Sequence, residues 1–311
     1  MKYLSVKQTA QKWKISPAMV RRYCIQGRIP KAVQEENGWK IPEKAKKPAG
    51  GNETAKTEVL ASPQTRKLLR QKKKKSFHGL YDYVQINLTY SSCRMASNRL
   101  TRKQVETIFR NGKVSEMFES VKVSDVIEAM NHCVCVDHIL DHVADPLSVR
   151  FLKKLHELLM KGTVDETKIR VTAGEFRTDN SKRKEKFFVP ATQIPKAMQE
   201  LLEEYEKRKT QSLEDVLAFH VKLETIFPFE DGNGRIGRLI LFKECLRHGL
   251  TPFILDDKRR GRYLEGIRNW DINPQCLLQV VAEAQGRFKS QEILQDLVEQ
   301  EHRLSPLTQN I

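Results

Sequence analysis

The stretch Ile226–Arg238, IFPFEDGNGRIGR, constrains the fold of this chain more than any other. Before it, Val216, Leu217, His220, Leu223 and Ile226 recur at helical spacing. Pro228 ends that helix, because the residue before a proline avoids the α region. After it, Ile236, Leu239, Ile240 and Leu241 open a second helix that runs to about Arg247, and Gly249 suits its C-terminal cap. Gly232-Asn233-Gly234 therefore falls at a helix N-terminus, where free backbone N–H groups and the positive end of the helix dipole converge. Such a turn cradles an anion. Arg235 and Arg238 project along one turn towards the same region and can clamp phosphate oxygens. Asp231 is placed to hold a magnesium ion bridging phosphates.

Gly232–Gly237 also spells GxGxxG, with Asp256 or Asp257 following at about the distance of a dinucleotide-binding acid. Three features argue against that fold. The preceding segment is a helix closed by Pro228 and not a buried strand, Asp231 would face the pyrophosphate, and no alternation of strands and helices follows.

The charge divides the chain. Of the net +16, residues 1–75 hold 20 Lys/Arg against five Asp/Glu, whereas residues 76–311 hold 35 against 34. A basic segment on a neutral body implies a polyanionic partner or a solubilising tail. No apolar run approaches the ~20 residues that span a bilayer, and no signal-peptide core follows Met1, so a cytoplasmic chain without a membrane partner is expected. The six cysteines are scattered, as in reduced cytosolic proteins.

Three regions are expected: a small folded module over 1–47, a basic linker over 48–75, and a mostly helical domain over 76–311. The linker begins with Gly, Pro, Ser and Thr, and ends in Arg66–Lys75, whose seven cations should keep it extended unless it meets an anion.

In the first region Ser5 can cap a helix, with Gln8 as its capping-box partner, and Val6, Ala10 and Trp13 share one face. Lys14-Ile15 makes a turn, Ser16 caps again, and Pro17 opens a second helix to about Cys24 that exposes Arg21, Arg22 and Tyr23. Asn37-Gly38 between short apolar runs signals a hairpin. Helix, turn, helix and hairpin together resemble the excisionase/MerR-like winged helix-turn-helix modules, through Leu4-Ser5-Val6, Ile15-Ser16-Pro17, Gly27-Arg28-Ile29-Pro30 and Trp39-Lys40-Ile41-Pro42. The resemblance implies DNA as partner of residues 1–75. Arg21 and Arg22 would meet bases or phosphates, and Lys14, Arg28 and Lys40 phosphates. A single small reader of this kind often works as a homodimer.

The loop itself resembles the signature H-P-F-x-D/E-G-N-G-R-x-x-R of the Fic (Fido-domain) family at every defined position but one. The resemblance extends over roughly 76–290. It includes Asn131-His132, Leu155-His156, a flap hairpin at Gly174–Arg177 and 187–191, and Phe242–Cys245. It implies a mainly α fold with a small β-hairpin flap, ATP and Mg2+ as cofactors, and a protein target docked along the flap. Gly232, Asn233, Gly234, Arg235 and Arg238 would hold nucleotide and Asp231 the metal. In the family the motif histidine takes the proton from a target hydroxyl that attacks the α-phosphate. Here that position is Phe227, which has no lone pair for the task. The family's inhibitory helix, S/T-x-x-x-E-G-N, corresponds to Ser92–Asn98, where Ala96 replaces the glutamate and Ser97 the glycine. The two losses together fit nucleotide sensing by a DNA-binding regulator, decay of an unused site, or a protein adenylyltransferase of weak or altered activity. His220, two turns before Phe227, lies ~10 Å away along the helix axis and reads as a packing residue. His138 and His142 share a helix face, but Cys133 and Cys135 lie on opposite faces, so buried cysteines account for that cluster better than a metal.

Overall fold

The computed structural model describes residues 3–25, 29, 32–35, 38–47, 62–75, 78–112, 121–163, 171–178 and 189–304. The chain divides into two units, Met1–Glu58 and Val59–Ile311.

In the first unit, Ser5 and Gln8 form the expected capping box on α1 (Val6–Trp13). The turn passes through Lys14 at φ 52, and Ser16 Oγ accepts from the Met19 N–H ahead of α2 (Pro17–Ile25). A three-stranded antiparallel sheet completes the unit in the order β1 (Tyr3–Ser5), β3 (Gly38–Pro42), β2 (Val33–Glu35). The hairpin is legible in the sequence but β1 is not, being too short to show alternation. The core gathers Ala10, Val20, Cys24, Ile29 and Ile41. It also takes in Tyr23, expected on the exposed face but 7% exposed, because its ring supplies bulk that so small a core needs.

The second unit is mainly helical, as expected. Its helices are α3 (Pro63–Lys74), α4 (Leu80–Met95), α5 (Arg102–Asn111), α6 (Val123–Asp141), α7 (Val149–Met160), α8 (Ile194–Glu206), α9 (Leu213–Ile226), α10 (Asn233–Arg247), α11 (Arg260–Arg268) and α12 (Gln275–Leu304). No helix among the described residues is long and apolar enough to cross a membrane. Helix α10 is buried along nearly its whole length, with Ile236, Leu239, Ile240, Phe242 and Leu246 in the main core. It also carries two fully buried charges side by side. Lys243 Nζ lies 2.8 Å from Glu244 Oε1 and donates to the Asp145 carbonyl, while Glu244 Oε2 accepts from Tyr205, Arg247 and His248.

The extended basic arm expected at Arg66–Lys75 is instead the body of α3. Thr65, Leu68 and Gln71 recur every three residues and are buried, which gives the segment a packing face. Gln71 Oε1 accepts from the Tyr81 N–H, and Lys72 Nζ sits 2.5 Å from Asp141 of α6 and donates to the Asp137 carbonyl. For Lys72 the anion lies in the same unit, whereas Lys73, Lys74 and Lys75 are exposed. The flap hairpin falls largely outside the described residues, of which 171–178 and 189–190 carry no strand.

Candidate functional site

Helix α9 ends with the Phe227 N–H bonded to the Leu223 carbonyl, and Phe227 itself turns left-handed at φ 51. That conformation costs a side chain with a Cβ roughly 1–2 kcal/mol. It is held by main-chain contacts. Arg177, 3% exposed, donates Nε to the Phe227 carbonyl at 2.8 Å and its N–H to the Pro228 carbonyl at 2.9 Å, and its guanidinium also bonds the Val189 carbonyl. Asn233 closes the loop from the other side. Its Oδ1 accepts from the Phe229 N–H and its Nδ2 donates to the Phe229 carbonyl, so the side chain is spent on the loop and only its N–H faces a ligand. His156 stacks on Phe229 with centroids 3.9 Å apart. Its Nδ1 accepts from the Gly174 N–H, which leaves the proton on Nε2 to donate to the Asp231 carbonyl at 3.1 Å. Burial holds its pKa down to about 4, so the ring stays neutral and keeps that tautomer.

Gly232 caps α10 at φ 81, a conformation suited to glycine. The first helical bond runs from Ile236 N–H to the Gly232 carbonyl, so the N–H groups of Asn233, Gly234 and Arg235 have no acceptor within the helix. They open onto a cavity of about 280 Å³ that Phe227, Asp231, Arg235 and Arg238 also line, closed by Met95 and Ala96 from the end of α4 and by Arg260 and Tyr263 from α11. A larger cleft of about 1000 Å³ runs along α4, α5 and α12 and contains none of the loop. The converging amides, not size, mark the smaller one as the site.

Both arginines line the cavity, but neither is idle. Arg235 pairs with Glu128 of α6 and with Asp231. Burial opposes its charge, and the two carboxylates outweigh burial and raise its pKa. Glu128 is fixed in turn by Asn98 Nδ2 at 2.8 Å. Arg235 thus ties the mouth of α10 to α6, a role hidden from the sequence because Glu128 is 107 residues away. Arg238 donates to the Ser92 hydroxyl and carbonyl at 3.1 and 2.8 Å. With alanine at 96, the α4 helix end meets Arg238 through Ser92 without an ion pair. Ser97, at the family's glycine position, keeps a left-handed φ of 76.

Asp231 keeps 47% of its side chain open and lines the cavity. Among the described residues no group of three His, Cys, Asp or Glu is close enough to hold a metal. One half-open carboxylate at an amide cradle nevertheless fits a magnesium ion that takes its other ligands from phosphates and water. Cys133 and Cys135 are buried in α6, and His138 stacks on Phe151.

Behind Phe227, His220 is 1% exposed and bonds the Tyr263 hydroxyl through Nε2 at 2.6 Å. Burial, helped by Arg238, pushes its pKa down to about 3. Glu224, between His220 and Phe227 on α9, also lines the cavity. A Cβ on Gly237 would stand 2.6 Å from His220 Cε1 and 2.8 Å from Glu224 Oε1, so only glycine lets α10 approach so closely.

Lys14, Arg21 and Lys40 are exposed on the first unit, and Lys40 lies 3.9 Å from Glu35. Arg28 and the Arg22 side chain lie outside the described residues.

The site sits at a helix N-terminus between α9 and α10 in a mainly helical unit. Residues 146–244 match the Fic/DOC family model. It is 24% identical over 180 residues to the protein adenylyltransferase fic-1 of Caenorhabditis elegans; the stretch is 56% of this chain, and the chain spans 34% of that protein's length. The fold is similar to a Fic domain-containing signaling protein from Bacteroides thetaiotaomicron, with 19% identity, TM-score 0.59, and 78% of this chain and 93% of that one covered. It is also similar to a Fic-1 fragment from C. elegans, with 17% identity, TM-score 0.58, and 78% and 72% covered.

Proposed function

We propose that this chain is a DNA-binding regulator whose Fic-type domain binds ATP with magnesium. The observation that carries the reading is the cavity at the start of α10. Three main-chain N–H groups, Arg238 and Asp231 converge there, while the position of the family's base holds Phe227. In that cavity the amides and Arg238 bind phosphate oxygens, and Arg235, fixed by Glu128, orients Asp231. Magnesium would neutralise phosphate charge beside Asp231. Phe227 contributes no proton acceptor, which favours a bound nucleotide as a signal over fast transfer. The exposed Arg21, Lys14 and Lys40, on a segment of net +15, support DNA as partner of the first unit.

Titration calorimetry of the full chain with ATP and Mg2+ tests the pocket. Binding is expected, and Arg238→Ala should weaken it at least tenfold, the loss of one charge-assisted phosphate contact. No heat from the unaltered chain would remove the nucleotide reading.

A further inference from the structure

The cavity that lacks an imidazole does not lack a carboxylate. Among the described residues that line it, Glu224 and Asp231 are the only side chains with an acidic oxygen, and no histidine reaches it. Asp231 is paired with Arg235. Among the described residues, the one group within ion-pair distance of Glu224 is the neutral His220, whose Nε2 is 4.0 Å away and bonded to Tyr263. Its Oε1 is buried with no hydrogen-bond partner. That oxygen faces Gly237 and His220, whereas the side chain as a whole keeps 17% of its surface open and is among those that line the cavity. A buried carboxylate with an unused oxygen is costly, and such groups persist where they act. Glu224 precedes Phe227 by one helical turn, ~4.5 Å along α9.

We propose that Glu224 is the proton acceptor of this site, serving a slow nucleotidyl transfer that Phe227 cannot assist. The inference rests on the nucleotide reading above. A hydroxyl or water oxygen attacks the α-phosphorus of ATP, a new P–O bond forms, the α–β P–O bond breaks, and pyrophosphate leaves. The attacking oxygen's proton passes to the Glu224 carboxylate. The groups facing Glu224 set its affinity for that proton. Burial raises its pKa, while Arg238 of α10 lowers it in part. Neutral His220 on α9 and the Tyr263 hydroxyl on α11 add no charge, and Asp231, Arg235 and Arg260 complete the charged lining. The net effect is a carboxylate more basic than usual, which suits a general base.

The test measures AMP, free and protein-bound, from ATP labelled at the α-phosphate, with the full chain and Mg2+ over a range of pH. AMP should form at a rate that rises with pH as Glu224 ionises. Glu224→Gln should lower the rate about 10²–10⁴-fold, with the calorimetric Kd for ATP within threefold of the unaltered chain. Glu224→Asp, which keeps the charge in a smaller side chain, should retain part of the activity and guards against loss of the fold. Phe227→His supplies a second base and should transfer even when combined with Glu224→Gln. Equal AMP formation by Glu224→Gln overturns the proposal. So does ATP binding without AMP from the unaltered chain while Phe227→His is active. Absence of ATP binding overturns the nucleotide reading as well and is told apart by the calorimetry.

Discussion

Glu244 shows what a single buried charge does for this fold. Burial alone would raise its carboxyl, but Lys243, the His248 hydrogen bond and Arg247 outweigh burial and hold its pKa down to about 2. Because the folded value lies below the unfolded one, the stabilisation is complete above an unfolded pKa of roughly 4.3 and is lost as pH falls through about 2. Urea midpoints measured from pH 6 down to pH 2 should therefore fall across that window. Glu244→Gln leaves Lys243 buried without its carboxylate. It should cost about 3–5 kcal/mol at neutral pH and flatten the acid dependence. The residues of the loop before α10 differ in kind. The sequence singles them out because glycine, asparagine and arginine at those fixed offsets suit an anion cradle. Their partners were not readable, because Glu128, Ser92 and Arg177 join the loop only through tertiary packing.

Among the elements, α9 and α10 were plain in the sequence. Their apolar spacing is regular, and Pro228 and Gly232 mark the break between them. Helix α3 was hidden. Its cations dominate the segment, and the stripe of Thr65, Leu68 and Gln71 that makes it a helix holds one strong apolar residue. Its acidic partners lie on α6, far along the chain. An extended linker would tolerate Leu68→Ala. The buried helix should lose about 2–5 kcal/mol, measurable by chemical unfolding of the full chain. Strand β1 escaped for the opposite reason, since three residues carry no periodicity.

For the whole molecule, Lys72 is engaged within the second unit, while Arg66, Arg70, Lys73 and Lys74 of α3 and its cap Lys75 are exposed, as are Lys14, Arg21 and Lys40 of the first unit. The proposed function then makes a graded prediction. In gel shifts of the full chain on mixed-sequence DNA, Arg21→Ala and Lys40→Ala should each weaken binding and reduce the salt slope by about one. Unchanged slopes would argue that this face meets protein and not phosphate. The left-handed turn at Phe227 bears on how the site is built. Arg177 grips the carbonyls of residues 227 and 228, and Asn233 grips Phe229, so these bonds hold the loop by its main chain. The bonds that shape the loop and the side chain at position 227 are separate parts of the site. Under the proposed function, Phe227→His changes the chemistry open to the pocket, and the main-chain bonds from Arg177 and Asn233 remain available to hold the loop.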